Sequence, residues 1–335
     1  MPESRPTILP RRLRTGDQVR VIAPAASRAY VMGHDNTRWV DEHFAALGLQ
    51  VSLGEHVDEL DVFASSSIES RLADLHAAFA DPEVACVMTA IGGFNSNELL
   101  PHLDWELIAA NPKVLCGYSD ITALQNAIWA HTGLVTYSGP HWSSFGMRDH
   151  FEQTLEWFRQ AVFTSELIEL QPSQAWSDDA WFADQDDRHL EPNPGWRVVQ
   201  PGEAAGTIVG GNLCTLNLLQ GTTHMPSLDG ALLFLEDDAI VEGGEFARNL
   251  TSLLQLPDAH LVTGLVLGRF QRDSEVLASQ LDEMVRRQPA LAGKPVLAEV
   301  DLGHTYPMIT FPVGGRAELC CPADGSPARL VLTQH

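Results

Sequence analysis

Three residue types that together can carry acyl transfer each stand just after a strand-like run. Ser119 follows the apolar Val114–Cys116 in KVLCGYSDITALQNAIWAH. Glu236 closes the apolar part of ALLFLEDD, Ala231–Asp238. His304 follows a glycine in VDLGHTYPMITFPVGG, Val300–Gly315. A hydroxyl can attack an acyl carbon if an imidazole takes its proton and a carboxylate orients that imidazole. A fourth feature, the glycine pair Gly92-Gly93 in IGGFNSNELLP, ends another apolar run and permits close backbone approach to a ligand.

Each residue also has a plainer use. Only Gly117-Tyr118-Ser119-Asp120 separates the strand from the helix that starts near Ile121. So tight a turn projects one side chain outward and aims helix N–H groups at a developing oxyanion. Ser119 or Asp120 can equally well cap that helix, as these residue types commonly do. GYSD lacks the second glycine of a G-x-S-x-G elbow. Glu236 reads as a solvated strand end or as the edge of a cleft, and His304 as a structural or a catalytic histidine. The thirteen histidines show no HExxH or paired spacing, so no metal and no metallohydrolase is expected.

The elements that must position these groups alternate at first. Val19–Ala23, Val51–Leu53, Val84–Ile91 and Val114–Cys116 read as strands, the third a continuous apolar run of the kind covered on both faces. Trp39–Leu47 has Val40, Phe44 and Leu47 on one helical face. Ile68, Leu72, Leu75 and Phe79 follow the N-cap candidates Ser65–Ser67, and Ile121–Ala130 is the next helix. A β-α-β-α order predicts a parallel sheet, with ligands at the carboxyl ends of its strands. The loops after Ala23, Ile91 and Cys116 then form the site.

Gln171–Gln200 differs: three prolines, the tryptophans Trp176, Trp181 and Trp196, and an acidic run predict a long irregular loop. Strands at Gly206–Val209, Ala231–Leu235, Leu261–Leu267, Pro295–Val300, Ala317–Leu319 and Arg329–Leu332 surround helices Phe246–Leu254 and Ser274–Arg287. The expected organisation is an N-terminal domain 1–165, a linker and loop 166–200, and a smaller C-terminal α/β domain 201–335.

A chain of 335 residues with 44% hydrophobic residues can bury a sizeable core over two domains. A net charge of −23 without Lys/Arg clusters excludes nucleic acid and opposes an anionic membrane surface. The N-terminal stretch offers no apolar run for a signal peptide, and no run reaches membrane-spanning length. Five cysteines, Cys86, Cys116, Cys214, Cys320 and Cys321, are odd in number and mostly strand-borne, which suits reduced buried thiols in the cytoplasm.

In this order, VRVIAPAAS, IGGFNSNELLPHLDW, GYSDIT, TIVGGNLCTLNLLQGTTHMP, LFLEDD and DLGHTYPMITFPVGG resemble the LD-carboxypeptidase family of serine peptidases, over roughly Thr15 to Gly315. The resemblance implies an N-terminal Rossmann-like parallel sheet domain, a C-terminal swivelling-type β/α domain and a site between them. It implies a Ser119-Glu236-His304 triad, an oxyanion hole from the N–H groups of Gly93 and Asp120, no cofactor, and a cytoplasmic homodimer. Gly92, Asn95, Trp176, Trp181 and Asn212 are the substrate contacts it suggests. Two branches fit. Murein enzymes release terminal D-alanine from a tetrapeptide, and usually carry RGGYG where this chain has Ile91 and IGGFNSNE. The microcin C self-immunity branch cleaves the amide between an aminoacyl or peptidyl group and a nucleotide, and the IGG-x-NSNELLP form and the tryptophan-bearing loop look like that branch. An aromatic face in such a loop can stack on a nucleobase or simply anchor the loop. A non-catalytic small-molecule binding protein on the same scaffold is the reading from another class.

Overall fold

The computed structural model describes residues 6–31 and 37–335. Five strands of the N-terminal half, β1 (Gln18–Ile22), β2 (Gln50–Leu53), β3 (Val84–Thr89), β4 (Val114–Gly117) and β5 (Thr136–Ser138), pair in parallel. All six residues of β3 are buried, as its continuous apolar run predicts. The helix Ile68–Ala80 buries Leu75, Ala78 and Phe79 against this sheet, and the Ser67 side chain caps it by accepting the Ser70 N–H at 3.0 Å. From β1 the chain first adds β2 on one side and then crosses to β3 on the other. That reversal opens a crevice at the carboxyl ends of β1 and β3.

The C-terminal half adds β6 (Ile168–Leu170), β7 (Ala175–Trp176), β8 (Glu191–Pro192), β9 (Arg197–Gln200), β10 (Gly202–Asn212), β11 (Ala231–Glu236), β12 (Gly264–Gly268), β13 (Val296–Val300), β14 (Phe311–Val313), β15 (Arg316–Cys321) and β16 (Arg329–Gln334). An eight-stranded sheet runs β6-β16-β15-β10-β11-β12-β13-β9, with β10 to β13 parallel and antiparallel strands at both ends. The architecture is a two-domain mixed α/β fold.

The expected organisation needs two adjustments. The 166–200 stretch is more than a linker, because β6 and β9 form both edges of the second sheet. That sheet is therefore the larger by strand count. β14 leaves it altogether and pairs antiparallel with β5 at the edge of the first sheet. Strands of three or four residues carry too little period-2 pattern to be told from loop.

One apolar cluster runs through both halves, joining Leu115, Leu124 and Ile128 to Val209, Leu213 and Leu233. The helix Thr122–Thr132 lies at this junction. Asn126 Nδ2 donates to the Gly210 carbonyl at 2.8 Å, and the Asn212 N–H donates to Thr122 Oγ1 at 2.9 Å. Gly211, at φ +124°, makes that approach possible, since a Cβ there would lie 2.4 Å from Thr122 Oγ1. The start of the Ser119 helix is thus locked onto the end of β10, where Asn212 registers with Glu236.

Candidate active site

Ser119 has φ 60° in the left-handed region, which is strained for a serine. It opens a 3-10 turn, Ser119–Ile121, that continues as the helix Thr122–Thr132. The strain is held from behind. The Gly117 carbonyl accepts the Gly139 N–H at 3.0 Å and Gln125 Nε2 at 2.8 Å, and Gln125 also donates to Tyr137 at 2.6 Å. The turn is fixed to β5 and to the following helix, so Ser119 is presented rather than free to relax.

Asp120 is not the helix cap that its position suggests; the helix starts without a side-chain cap. Its buried carboxylate instead accepts the Ser96 N–H at 2.8 Å. Burial, opposed by the Ser96 hydrogen bonds, moves the Asp120 pKa above the ordinary carboxylate value.

Glu236 ends β11 and is buried, with Oε2 2.6 Å from His304 Nδ1. Burial alone would lower the His304 pKa. The charge and hydrogen bond of Glu236, helped by Asp238 and Asp237, outweigh it and hold the pKa above the ordinary histidine value. The Asp237 carboxyl beside them is pushed up to about 7, first by burial and then by the Glu236 and Asp238 charges. Gly303, at φ +94°, sets the contact: a Cβ there would lie 2.4 Å from Glu236 Oε2. Gly303→Ala is therefore expected to break the pair and lower kcat by about 100-fold, the cost of a misplacement near 1 Å. A variant with parental kcat would show that the pair is dispensable.

Ser119, His304, Gly92, Gly93, Tyr118 and Trp181 line one cavity of about 820 Å3. Gly92 lies hard against the serine, its virtual Cβ 3.2 Å from Ser119 Oγ. The Gly92 carbonyl accepts the Ala26 N–H at 3.0 Å, and among the described residues the Gly93 N–H has no acceptor. The Asp120 N–H belongs to the first turn of a helical segment, where N–H groups lack intrahelical partners.

The remaining sequence-suggested contacts fall elsewhere. Asn95 and Asn212 are buried and outside the lining of the cavity. Asn95 Nδ2 donates to Ser65 Oγ at 3.2 Å. Asn212 caps the helix Leu213–Asn217, accepting from Thr215 N at 3.1 Å, and donates to Asp237 at 3.0 Å. Trp176 also lies outside the cavity lining, its ring against Arg269 and Arg272 at 4.8 and 4.5 Å, which is the anchoring role. Trp196 anchors too, donating Nε1–H to the buried Asp301 at 2.9 Å. Only Trp181 of the three faces the cavity, edge-on to Tyr306 with centroids 6.1 Å apart. The loop is held there by paired 2.8 Å hydrogen bonds between Ser177 and Tyr306, two residues beyond His304.

Two cavity residues escaped the sequence. His141 stacks on Tyr118 at 4.0 Å, and burial pushes its pKa down to about 3, so the ring is neutral. Tyr306 Oη lies 3.1 Å from Tyr118 Oη. SGPHW and HTYP carry no spacing that marks either residue. Only their meeting around Tyr118 does so.

A serine and a carboxylate-bound imidazole on the wall of one cavity are the groups that acyl transfer through a hydroxyl requires. The profile of the LD-carboxypeptidase N-terminal domain matches residues 19–139, and that of the LD-carboxypeptidase C-terminal domain matches residues 205–319. The chain is 44% identical over 324 residues to the putative carboxypeptidase YocD of Bacillus subtilis, spanning 97% of this chain and 99% of that one. Over 330 residues it is 32% identical to the microcin C7 self-immunity protein MccF of Escherichia coli, spanning 90% of each chain. An MccF-like protein from Bacillus anthracis has a solved structure of TM-score 0.95 at 45% identity, covering 98% of this chain and all 100% of the other. MccF in complex with glutamyl sulfamoyl guanosine gives TM-score 0.87 at 28% identity, over 98% of both chains. The chain belongs to the LD-carboxypeptidase family and is a serine-type carboxypeptidase.

Proposed function

We propose that Ser119, His304 and Glu236 form a catalytic triad that hydrolyses the amide joining an aminoacyl or peptidyl group to a nucleotide. The single observation behind it is the 2.6 Å Glu236–His304 pair, whose imidazole lines the same cavity as a serine at φ 60°. His304 takes the Ser119 proton as Oγ attacks the acyl carbon. The N–H groups of Gly93 and Asp120 hold the oxyanion. The C–N bond breaks as His304 returns its proton to the leaving nitrogen. Water, deprotonated by His304, then releases the acyl group as an acid and restores Ser119. Glu236 orients the ring and stabilises its charged form.

The substrate class draws support from the likeness to MccF, solved with glutamyl sulfamoyl guanosine, and from Trp181, a largely buried ring in the cavity wall beside Tyr306. The enzyme is expected to work in the cytoplasm as a homodimer, and sedimentation of the purified chain checks the dimer. One purified sample assayed on an aminoacyl-sulfamoyl adenosine and on a murein tetrapeptide separates the two branches. Hydrolysis of the nucleotide amide, with little D-alanine release, is the expected result. Strong D-alanine release with an inert nucleotide would assign the protein to the murein branch instead.

A further inference from the structure

Asn95–Glu98 takes no part in the chemistry above, yet it forms much of a polar brace behind the cavity. Its hub is Arg71, from the helix Ile68–Ala80, which is only 3% exposed. A buried guanidinium is tolerated where its N–H groups are answered. Nη1 donates to the carbonyls of Pro24 at 3.3 Å and Asn95 at 3.1 Å, and Nη2 donates to Glu98 Oε2 at 2.5 Å. The buried Ser65 donates to the Ala25 carbonyl at 2.6 Å and accepts from Asn95 Nδ2 at 3.2 Å. Ser96, also buried, makes two bonds to one residue. Its N–H donates to Asp120 Oδ2 at 2.8 Å, and its hydroxyl donates to the Asp120 carbonyl at 2.7 Å.

These bonds tie together the loops that follow β1, β3 and β4. Two of those loops carry the proposed oxyanion donors, Gly93 and Asp120. A glycine pair has no side chain with which to hold its own place. The separation of two N–H groups on different loops must therefore be set by neighbours that bridge the loops. Ser96, three residues after Gly93 and bonded twice to Asp120, is such a bridge. Arg71 fixes the carbonyl of the residue just before Ser96.

We infer that Ser96 and Arg71 are positioning residues that set the spacing of the Gly93 and Asp120 oxyanion donors. Neither lines the cavity or touches the reacting atoms. The inference rests on the proposed triad and oxyanion hole.

Ser96→Ala removes the hydroxyl and keeps the N–H. On whichever of the two substrates is turned over, kcat is expected to fall about 10-fold to 100-fold with KM nearly unchanged, because a mis-set donor weakens the transition state alone. Affinity for an N-acyl aminomethyl boronic acid, whose tetrahedral adduct needs the oxyanion hole, should fall by the same factor. Ser96→Thr keeps both donors and should restore both quantities. Arg71→Lys, which keeps the charge but loses the fork, should shift kcat and boronate affinity together in the same direction. Parental kcat and boronate affinity in Ser96→Ala would overturn the inference. So would a loss confined to KM, or one that Ser96→Thr does not rescue, since that is the mark of a merely structural role. Full activity in Ser119→Ala would instead remove the triad on which the inference stands, and the two failures are thereby told apart.

Discussion

Replacing Ser119 by alanine should lower kcat by about four to six orders of magnitude and abolish labelling by a fluorophosphonate. Loss of a serine nucleophile falls in that range because the remaining groups of a triad have nothing to activate. The fold should survive. Ser119 is only part-buried on the cavity wall, and alanine carries much the same strain as serine at φ 60°. A thermal midpoint within about 2 °C of the parent, beside lost turnover, is the expected combination. Turnover near the parental rate would rule Ser119 out as the nucleophile, whatever the family resemblance.

Glu236→Gln should cost about 10³-fold to 10⁴-fold in kcat and also move the pH profile. His304 acts as base only when neutral. Its pKa lies above the ordinary histidine value because Glu236, with Asp238 and Asp237, outweighs burial. Activity therefore rises with pH as His304 loses its proton, along a limb placed above pH ~6.5. Removing the Glu236 charge takes away the largest influence opposing burial, which favours the neutral ring, so the acid limb of kcat/KM should move to lower pH. A profile measured for the parent and for Glu236→Gln checks this directly. An unmoved limb would mean that Glu236 does not control the protonation of His304.

The pH shift and the rate loss report different things. A glutamine of the same shape can still hold the ring roughly in place, but it cannot balance the charge that His304 gains in the transition state. The rate loss measures that missing balance. The limb measures the ground-state proton. Together they separate an orienting carboxylate from one that merely fills space next to a histidine.

Much of this was legible in the chain. Val84–Thr89 is continuously apolar and forms the buried centre of a parallel sheet. Such sheets place function at strand ends, which selected the loops holding Gly92, Gly93 and Ser119. Glu236 and His304 each follow a strand, and they meet at 2.6 Å. What sequence could not decide was the direction of a side chain whose partners lie far along the chain. Trp176 and Trp181 sit in the same loop, but Arg269 and Arg272 take the first, leaving the second on the cavity wall. Asn95 stands two residues after Gly93 and Asn212 just after Gly211, yet Ser65 and Asp237 take their side chains.

Residue chemistry and strand order by themselves determined a two-domain α/β chain with a serine, a glutamate and a histidine at strand ends. They also narrowed Ser119 to a cap or a nucleophile. Only the tertiary structure decided that no side chain caps this helix and that Ser119 lines the cavity that also holds His304, and the reason is physical. A left-handed φ at Ser119 is affordable where Gln125 and the neighbouring strand hold the turn. The serine shares a cavity with His304 because Gly211 lets the helix behind Ser119 close onto β10, beside the strand that ends at Glu236. Local sequence specifies each element's period and ends, whereas the approach of two sheets depends on contacts between residues far apart in the chain.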